Sequence, residues 1–289
     1  MSKKKLIVPV EGVDYSVLKG GVIRVDRITT PPTEPCGEGE PAPDYLSLID
    51  HGLKIEGRKK YERKLKKQEE RFNTLVRKLD DAKRAIIIVM QGRDGSGKSG
   101  ACQRIMEAVG YDPKIFLWVP IGPPSDEEKA HPYLWRFNTG ERMPKFGQVR
   151  VFDRSWAERL LVEPVMKIIG PKTLQRSYPE IRTYEWLVAR QRAVIVKLWM
   201  DISKDEQARR FDDRQRDKPW KVSPSDAVAR EHWDDYTVAA NAMFHYTGTP
   251  AAPWYLVNSE DKFYSRVNVL KTINQAMARA LADGFKHND

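Results

Sequence analysis

The sequence predicts an α/β chain built on a parallel central sheet, and three observations carry that expectation. Residues 85–90, Ala-Ile-Ile-Ile-Val-Met, are apolar throughout and mostly β-branched, as befits a strand buried on both faces. A glycine-rich string at 92–100 follows directly, and a helical pattern begins near Ser99. Further apolar runs at 115–119, 148–152, 194–200 and 254–257 alternate with helical patterns, which is the βαβ order of a parallel sheet.

At 289 residues the chain approaches the upper size for one hydrophobic core, so a single elaborated domain is expected over 56–289. Residues 1–55 are expected to be an irregular extension, because Pro31, Pro32, Pro35, Pro41 and Pro43 interrupt any helix. From 59 to 79 the apolar positions Tyr61, Leu65, Phe72, Leu75, Val76 and Leu79 recur at helical spacing among many charges. One long amphipathic helix accounts for them, with its lysines and arginines on a solvated face. Two further helix starts are signalled by Ser203 with Glu206, a capping box, and by Ser223 before Pro224. No internal repeat or low-complexity tract stands out.

Composition narrows the partners without choosing one. Hydrophobic residues at 40% and charged residues at 31% fit a globular chain with a real core. No run approaches the roughly 20 apolar residues a membrane span needs, and Lys3, Lys4 and Lys5 precede no apolar signal segment, so a cytoplasmic location off the membrane is expected. Cys36 and Cys102 stand far apart and make no ligand spacing, which argues against a disulfide framework and a zinc site. A formal charge of +10 points to an anionic partner: nucleic acid, anionic lipid or polyphosphate.

The string Gly92-Arg-Asp-Gly-Ser-Gly-Lys-Ser-Gly100 satisfies the phosphate-binding pattern GxxxxGK[ST] in the required context, after a strand and before a helix. Gly92, Gly95 and Gly97 let backbone wrap a phosphate, and the N–H groups opening the helix attract its charge. Lys98 supplies a mobile cation, and Ser99 stands where such a loop's hydroxyl meets Mg²⁺. Asp94 would repel a phosphate unless a cation stood between them; the alternative is an aspartate that only caps the turn. The run 149–153 reads as a strand ending in Asp153, the Walker B placement of a second metal carboxylate, with Arg154 next to it aimed at phosphate or held in a surface ion pair. Downstream, 203–216 is a basic helix carrying Arg209, Arg210, Arg214 and Arg216, followed by Lys218 and Lys221. It reads either as a cover closing over phosphates or as an ordinary charged face. Trp220, Trp233 and Tyr236 are assigned to packing; His131, His232 and His245 lack partners at ligand or triad spacing.

With these motifs in order, the chain resembles the second polyphosphate kinase family, including its polyphosphate:AMP phosphotransferases, over residues 57–282. The similar stretches are GRDGSGKSG at 92–100, VFDRSW at 151–156, IVKLWMDISKDEQARRF at 195–211, WKVSP at 220–224 and WDDYT at 233–237. The resemblance implies a three-layer αβα P-loop kinase fold with a helical lid at about 203–235. It further implies transfer of phosphate between polyphosphate and adenine or guanine nucleotides, with Mg²⁺ required and Mn²⁺ a possible replacement, in a homodimer or homotetramer. Carried over by motif, Asp94, Lys98, Asp153 and Arg154 match the functional Walker positions, with Asp94 and Asp153 on the metal. Gly92, Gly95, Gly97, Ser99 and Gly100 cradle phosphate, while Arg209, Arg210, Arg214 and Lys221 match the lid. Arg136 falls near the family's acceptor site. Two departures stand out: Ser99 where many members have Gly, and Trp156-Ala-Glu-Arg159 where many have WYNR. The stretch 252–272 is similar to AMP-using relatives. The expected activity is therefore conversion of AMP to ADP, or ADP to ATP, at the expense of polyphosphate. The rival readings are an ATP-dependent nucleoside monophosphate kinase and a P-loop ATPase acting on nucleic acid, although no specific nucleic-acid module is expected.

Overall fold

The computed structural model describes residues 14–34, 37, 39–217, 219–221 and 224–282. In chain order they form β1 (Ser16–Leu18), β2 (Val22–Val25), α1 (Arg58–Val76), β3 (Ala85–Gly92), α2 (Lys98–Ala108), β4 (Phe116–Pro120), α3 (Asp126–Ala130) and β5 (Val149–Asp153). There follow α4 (Val162–Val165), α5 (Pro171–Arg190), β6 (Ala193–Asp201), α6 (Lys204–Asp217), α7 (Pro224–Glu231), α8 (Trp233–Thr247), β7 (Trp254–Asn258) and α9 (Lys262–Ala282). The strands make one sheet in the order β1-β2-β7-β6-β3-β5-β4, parallel from β7 to β4.

Strand β3 shows why three layers result. Its residues alternate between two cores: Ile86, Ile88 and Met90 face the cluster under α1, α2 and α9, while Ile87 and Val89 face the cluster under α5 and α8. A strand sealed on both faces needs apolar residues at every position, which is why the run 85–90 carries no polar break. Leu79 is fully buried in the turn after α1 rather than within the helix.

The expectation of an irregular extension is corrected in its described part. Residues 16–25 form a hairpin, turned at Gly20 and Gly21 with φ of 109° and 75°, whose second strand pairs antiparallel with β7. Two strands this short carry little periodic signal, and the prolines beyond them dominated the sequence pattern. Pro31, Pro32, Pro41 and Pro43 belong to a strap held by side chains: the Pro32 carbonyl accepts from Arg182 Nε at 3.2 Å, and the Leu46 amide donates to Asn241 at 3.2 Å; Pro35 lies outside the described residues.

The capping box expected at α6 is half right. Ser203 Oγ accepts from the Glu206 amide at 3.1 Å, but the Glu206 carboxylate turns away to Arg209 and Arg210. Glu260, distant in sequence, takes its place by accepting from the Ser203 amide at 2.9 Å and hydroxyl at 2.6 Å. Pro224 opens α7 as predicted; Ser223 lies outside the described residues.

Beneath the sheet sits a buried ion pair. Lys197 Nζ donates to Glu185 Oε2 and to the Thr247 carbonyl, each at 2.7 Å, and Trp156 Nε1 donates to Glu185 Oε1 at 2.8 Å. Losing one buried partner strands the other charge, so Glu185→Leu should cost about 3–5 kcal/mol in urea unfolding. Glu185→Leu with Lys197→Met should recover most of that loss.

His245 accepts from or donates to the Tyr45 hydroxyl at 2.8 Å, and burial followed by the nearby Arg27 lowers its pKa to about 4. Its folded pKa therefore lies below the ordinary 6.5, so the unfolded chain binds more protons in that window. This group's contribution to stability is complete above pH 6.5 and is lost as pH falls toward 4. His245→Asn should flatten the unfolding midpoint across that range.

Candidate active site

The central strand ends in a turn that only glycine can make. Gly92 has φ of 147°, and a Cβ there would stand 2.3 Å from the Met200 carbonyl oxygen of β6. The loop then runs through Gly95 at φ 81° to Gly97 at φ 94°, which caps α2. Lys98 opens that helix and folds back, donating from Nζ to the Gly92 carbonyl at 2.9 Å and the Arg93 carbonyl at 3.1 Å. Its ammonium lies 3.7 Å from Asp94 Oδ1.

Strand register brings the second carboxylate alongside. Asp153 stands opposite Met90 in the β3–β5 pair, and the Arg154 amide donates to the Met90 carbonyl at 3.1 Å. Arg154 takes a left-handed φ of 65°, a strained conformation for a side-chain-bearing residue and one that gathers at functional sites. Its guanidinium reaches between two acids, 3.9 Å from Asp94 Oδ1 and 3.9 Å from Glu158 Oε2.

A cleft of about 840 Å³ gathers most of the expected residues: Asp94, Gly95, Gly97, Lys98, Ser99, Gly100, Asp153, Arg154, Arg210 and Arg214. A smaller pocket of about 250 Å³ shares Asp94, Lys98 and Arg154 with it; its apolar walls include Leu161, Val162, Met166, Trp199 and Val228, and its polar lining includes Gln91, Arg93, Glu158, Gln207 and Tyr236. Burial raises the Glu158 pKa while Arg154 and Lys98 pull it down. Sequence reading missed Glu158 as a site residue. Its one signal was its position four residues after Arg154, within the WAER departure.

The arginines of α6 expected in a lid divide. Arg209 is exposed, paired with Glu206 and Asp213, and does not line the cleft. Arg210 is buried and donates to Glu206 and to the carbonyls of Gly95, Ser259 and Glu260 at 2.6–2.8 Å, so it ties α6 to the glycine-rich loop. Gln207 adds a bond to the Asp94 carbonyl at 2.9 Å. Arg214 faces the cleft with its guanidinium 5.1 Å from the Phe211 ring. The Lys221 side chain and Lys218 lie outside the described residues.

Arg136 sits in a 3-10 turn, Tyr133–Phe137, paired with Glu128 at 3.0 Å and bonded to the Gly122 carbonyl at 2.9 Å. It fixes the rim of the cleft, where Gly122 lies, without lining the cleft itself. The packing assignment of the aromatics holds for Trp233, whose ring lies 3.9 Å from the Arg93 guanidinium. It is corrected for Trp220, which is 75% exposed; Tyr236 packs against the cluster under α5 and α8 as expected and also lines the smaller pocket, with a pKa raised to about 12 by burial and then by Glu158. Cys102 is buried, and burial with Asp153 nearby pushes its thiol well up, so it is inert; Cys36 lies outside the described residues.

Of the four carboxylates lining the cleft, Asp94 and Asp153 flank the glycine-rich loop with the Ser99 hydroxyl, while Asp213 and Asp217 lie on α6, and no cluster of three or more His, Cys, Asp or Glu occurs among the described residues. Such a sparse oxygen set fits Mg²⁺, which keeps several waters and shares its shell with substrate phosphates, rather than an all-protein cage. Among the described residues no helix is long and apolar enough to cross a membrane.

A glycine-rich loop behind the central strand, a lysine opening the next helix and an acid ending the neighbouring strand define the class of P-loop, kinase-like folds. Within it the family is specific: the Polyphosphate kinase 2 profile matches residues 56–283, and the chain belongs to the polyphosphate kinase 2 family. A polyphosphate:AMP phosphotransferase of Pseudomonas aeruginosa is 36% identical over 237 residues, 81% of this chain and 47% of the relative. An ADP-polyphosphate phosphotransferase 3 of Rhizobium meliloti is 38% identical over 190 residues, 65% of this chain and 66% of the relative. Among solved structures, a putative polyphosphate kinase 2 from Pseudomonas aeruginosa superposes with a TM-score of 0.78 at 35% identity, covering 84% of this chain and 51% of that one. Polyphosphate kinase 2 from Arthrobacter aurescens gives 0.74 at 31% identity, covering 85% and 88%. The chain thus spans about half the length of the first polyphosphate:AMP phosphotransferases it matches.

Arg210 serves four acceptors that a lysine cannot reach together. Arg210→Lys should speed amide hydrogen exchange through α6 and residues 93–97 while leaving β5 and β6 at wild-type rates.

Proposed function

We propose that this chain moves a phosphoryl group between polyphosphate and a nucleotide, with AMP as the preferred acceptor. The observation that carries the reading is the pair of cavities meeting at Asp94, Lys98 and Arg154. One is large, open and lined with glycine backbone and cations, suited to an anhydride chain. The other is smaller and apolar-walled, suited to the end of a molecule with a ring. The names of the relatives support the same reading, since they pair polyphosphate with AMP, ADP or GDP.

In the reaction, a phosphate oxygen of AMP attacks the terminal phosphorus of polyphosphate. One P–O bond forms to AMP, the terminal anhydride P–O bond breaks, and the chain leaves one unit shorter. The acceptor is already anionic, so no strong base is needed; the task is to hold two repelling anions in line and spread their charge. Lys98 and Arg154, both within 4 Å of Asp94 Oδ1 at 3.7 and 3.9 Å, do this with the loop N–H groups as fixed donors. Asp94 and Asp153, with Ser99, would hold Mg²⁺, or Mn²⁺ in its place, which when bound neutralises anhydride oxygens. Arg214 and Lys221 are assigned to the phosphates from the lid. Arg209, Arg210 and Arg136 act by positioning. Guanine nucleotides, a homodimer or homotetramer and a cytoplasmic setting complete the proposal.

The test is donor choice: AMP and Mg²⁺ with either long-chain polyphosphate or ATP, followed by ADP formation. Polyphosphate should be the better donor; ATP working while polyphosphate does not would instead indicate a nucleoside monophosphate kinase. Lys98→Ala should cost about 3–4 kcal/mol of transition-state stabilisation, some hundredfold to thousandfold in kcat.

A further inference from the structure

The cations around the cleft are mostly neutralised by the protein itself. Arg210 is held by Glu206 and three carbonyls, Arg209 by Glu206 and Asp213, and Arg216 by Asp213 and Asp217. The acids Asp213 and Asp217, which also line the cleft, are occupied by the same pairs.

Two cations at one mouth of the cleft are not. Lys262, the first residue of α9, lines the cleft and makes no hydrogen bond or ion pair among the described residues. Arg266, one turn on, approaches the first turn of α2, which ends the glycine-rich string: its Nη2 lies 3.6 Å from where a Cβ on Gly100 would stand. It too has no such partner among the described residues. Burial lowers the Lys262 pKa, and so do Arg210, Arg209 and Arg266, against the opposing pull of Glu206. Like charges gathered without counterions repel, and a polyanion relieves that cost.

The basic surface continues from there. Tyr61 stacks on Phe263 with ring centroids 4.1 Å apart, which sets the first turns of α1 and α9 side by side. That turn of α1 exposes Lys59, Lys60 and Arg63, none with an ion pair among the described residues.

We propose that polyphosphate, beyond the units held by the glycine-rich loop, leaves the cleft across Lys262 and Arg266 and runs onto the Lys59, Lys60 and Arg63 turn of α1. The inference rests on polyphosphate being the substrate of this cleft. It makes the α9–α1 surface a length-sensing extension of the site, which a triphosphate is too short to reach.

The experiment is a binding titration of the full chain at fixed Mg²⁺, with long-chain polyphosphate and with tripolyphosphate, across a range of salt. It compares wild type with Lys262→Ala/Arg266→Ala and with Lys59→Gln/Lys60→Gln/Arg63→Gln. Long-chain affinity should fall about tenfold or more in each variant. Tripolyphosphate affinity should change far less in the α1 variant. The slope of log affinity against log salt should shrink by about 1.4 for the α9 pair, at about 0.7 per contact for a flexible polyanion. Equal loss for both ligands in the α1 variant, or an undiminished long-chain slope, overturns the track. Should the α9 pair not fold, the α1 variant decides alone, because its three positions are exposed. The two readings part cleanly: wild type that binds long chains with this pattern yet forms no ADP from them sinks the proposed activity and leaves the track standing.

Discussion

The site depends on β3 being paired on both sides to its last residues. On one side Gly92 stands opposite Met200, on the other Met90 stands opposite Asp153, so one strand sets the position of the loop and of the neighbouring acid together. A slip of one residue in the β3–β5 pair would turn Asp153 to the other face of the sheet. The closeness that excludes a Cβ at residue 92 is the same closeness that turns the loop back over the sheet's edge. Packing and chemistry are here one constraint.

Phosphate chemistry asks for concentrated positive charge, and a folded chain resists it. This protein meets the conflict by giving most of its cations an internal acceptor. Lys98 rests on carbonyls, Arg154 sits between Asp94 and Glu158, and Arg210 is bonded all round. Each such contact holds a guanidinium or ammonium in place before a ligand arrives, which lowers the ordering cost of binding. Where no acceptor is supplied among the described residues, as at Lys262 and Arg266, the surface stays electrostatically unsatisfied.

Much of this was legible from residues alone. The loop, the Walker B strand, the long amphipathic α1 and the order of parallel strands all follow from local pattern, because a doubly buried strand and a glycine turn each leave an unmistakable signature. What pattern could not supply were features set by contacts far apart in sequence. The hairpin of β1 and β2 exists because β7 offers an edge, and Glu260 replaces Glu206 at the cap only because α9 starts beside α6. Arg209 and Arg210 look equivalent in the sequence, yet one faces solvent and the other is buried against the loop. Glu158 and Tyr236 became visible as pocket residues only when α4, α7 and α8 closed around them.

The anchoring of α6 has a mechanical consequence. Through Gln207, Arg210 and Phe211 the opening turns of that helix are fastened to the glycine-rich loop, with a Cβ on Gly95 coming within 3.2 Å of the Phe211 ring. Those turns and the loop must travel as one body. Were α6 to swing over a bound chain, the pivot would therefore fall beyond Phe211, and the far half of the helix with α7 would be the lever on a base that is already locked.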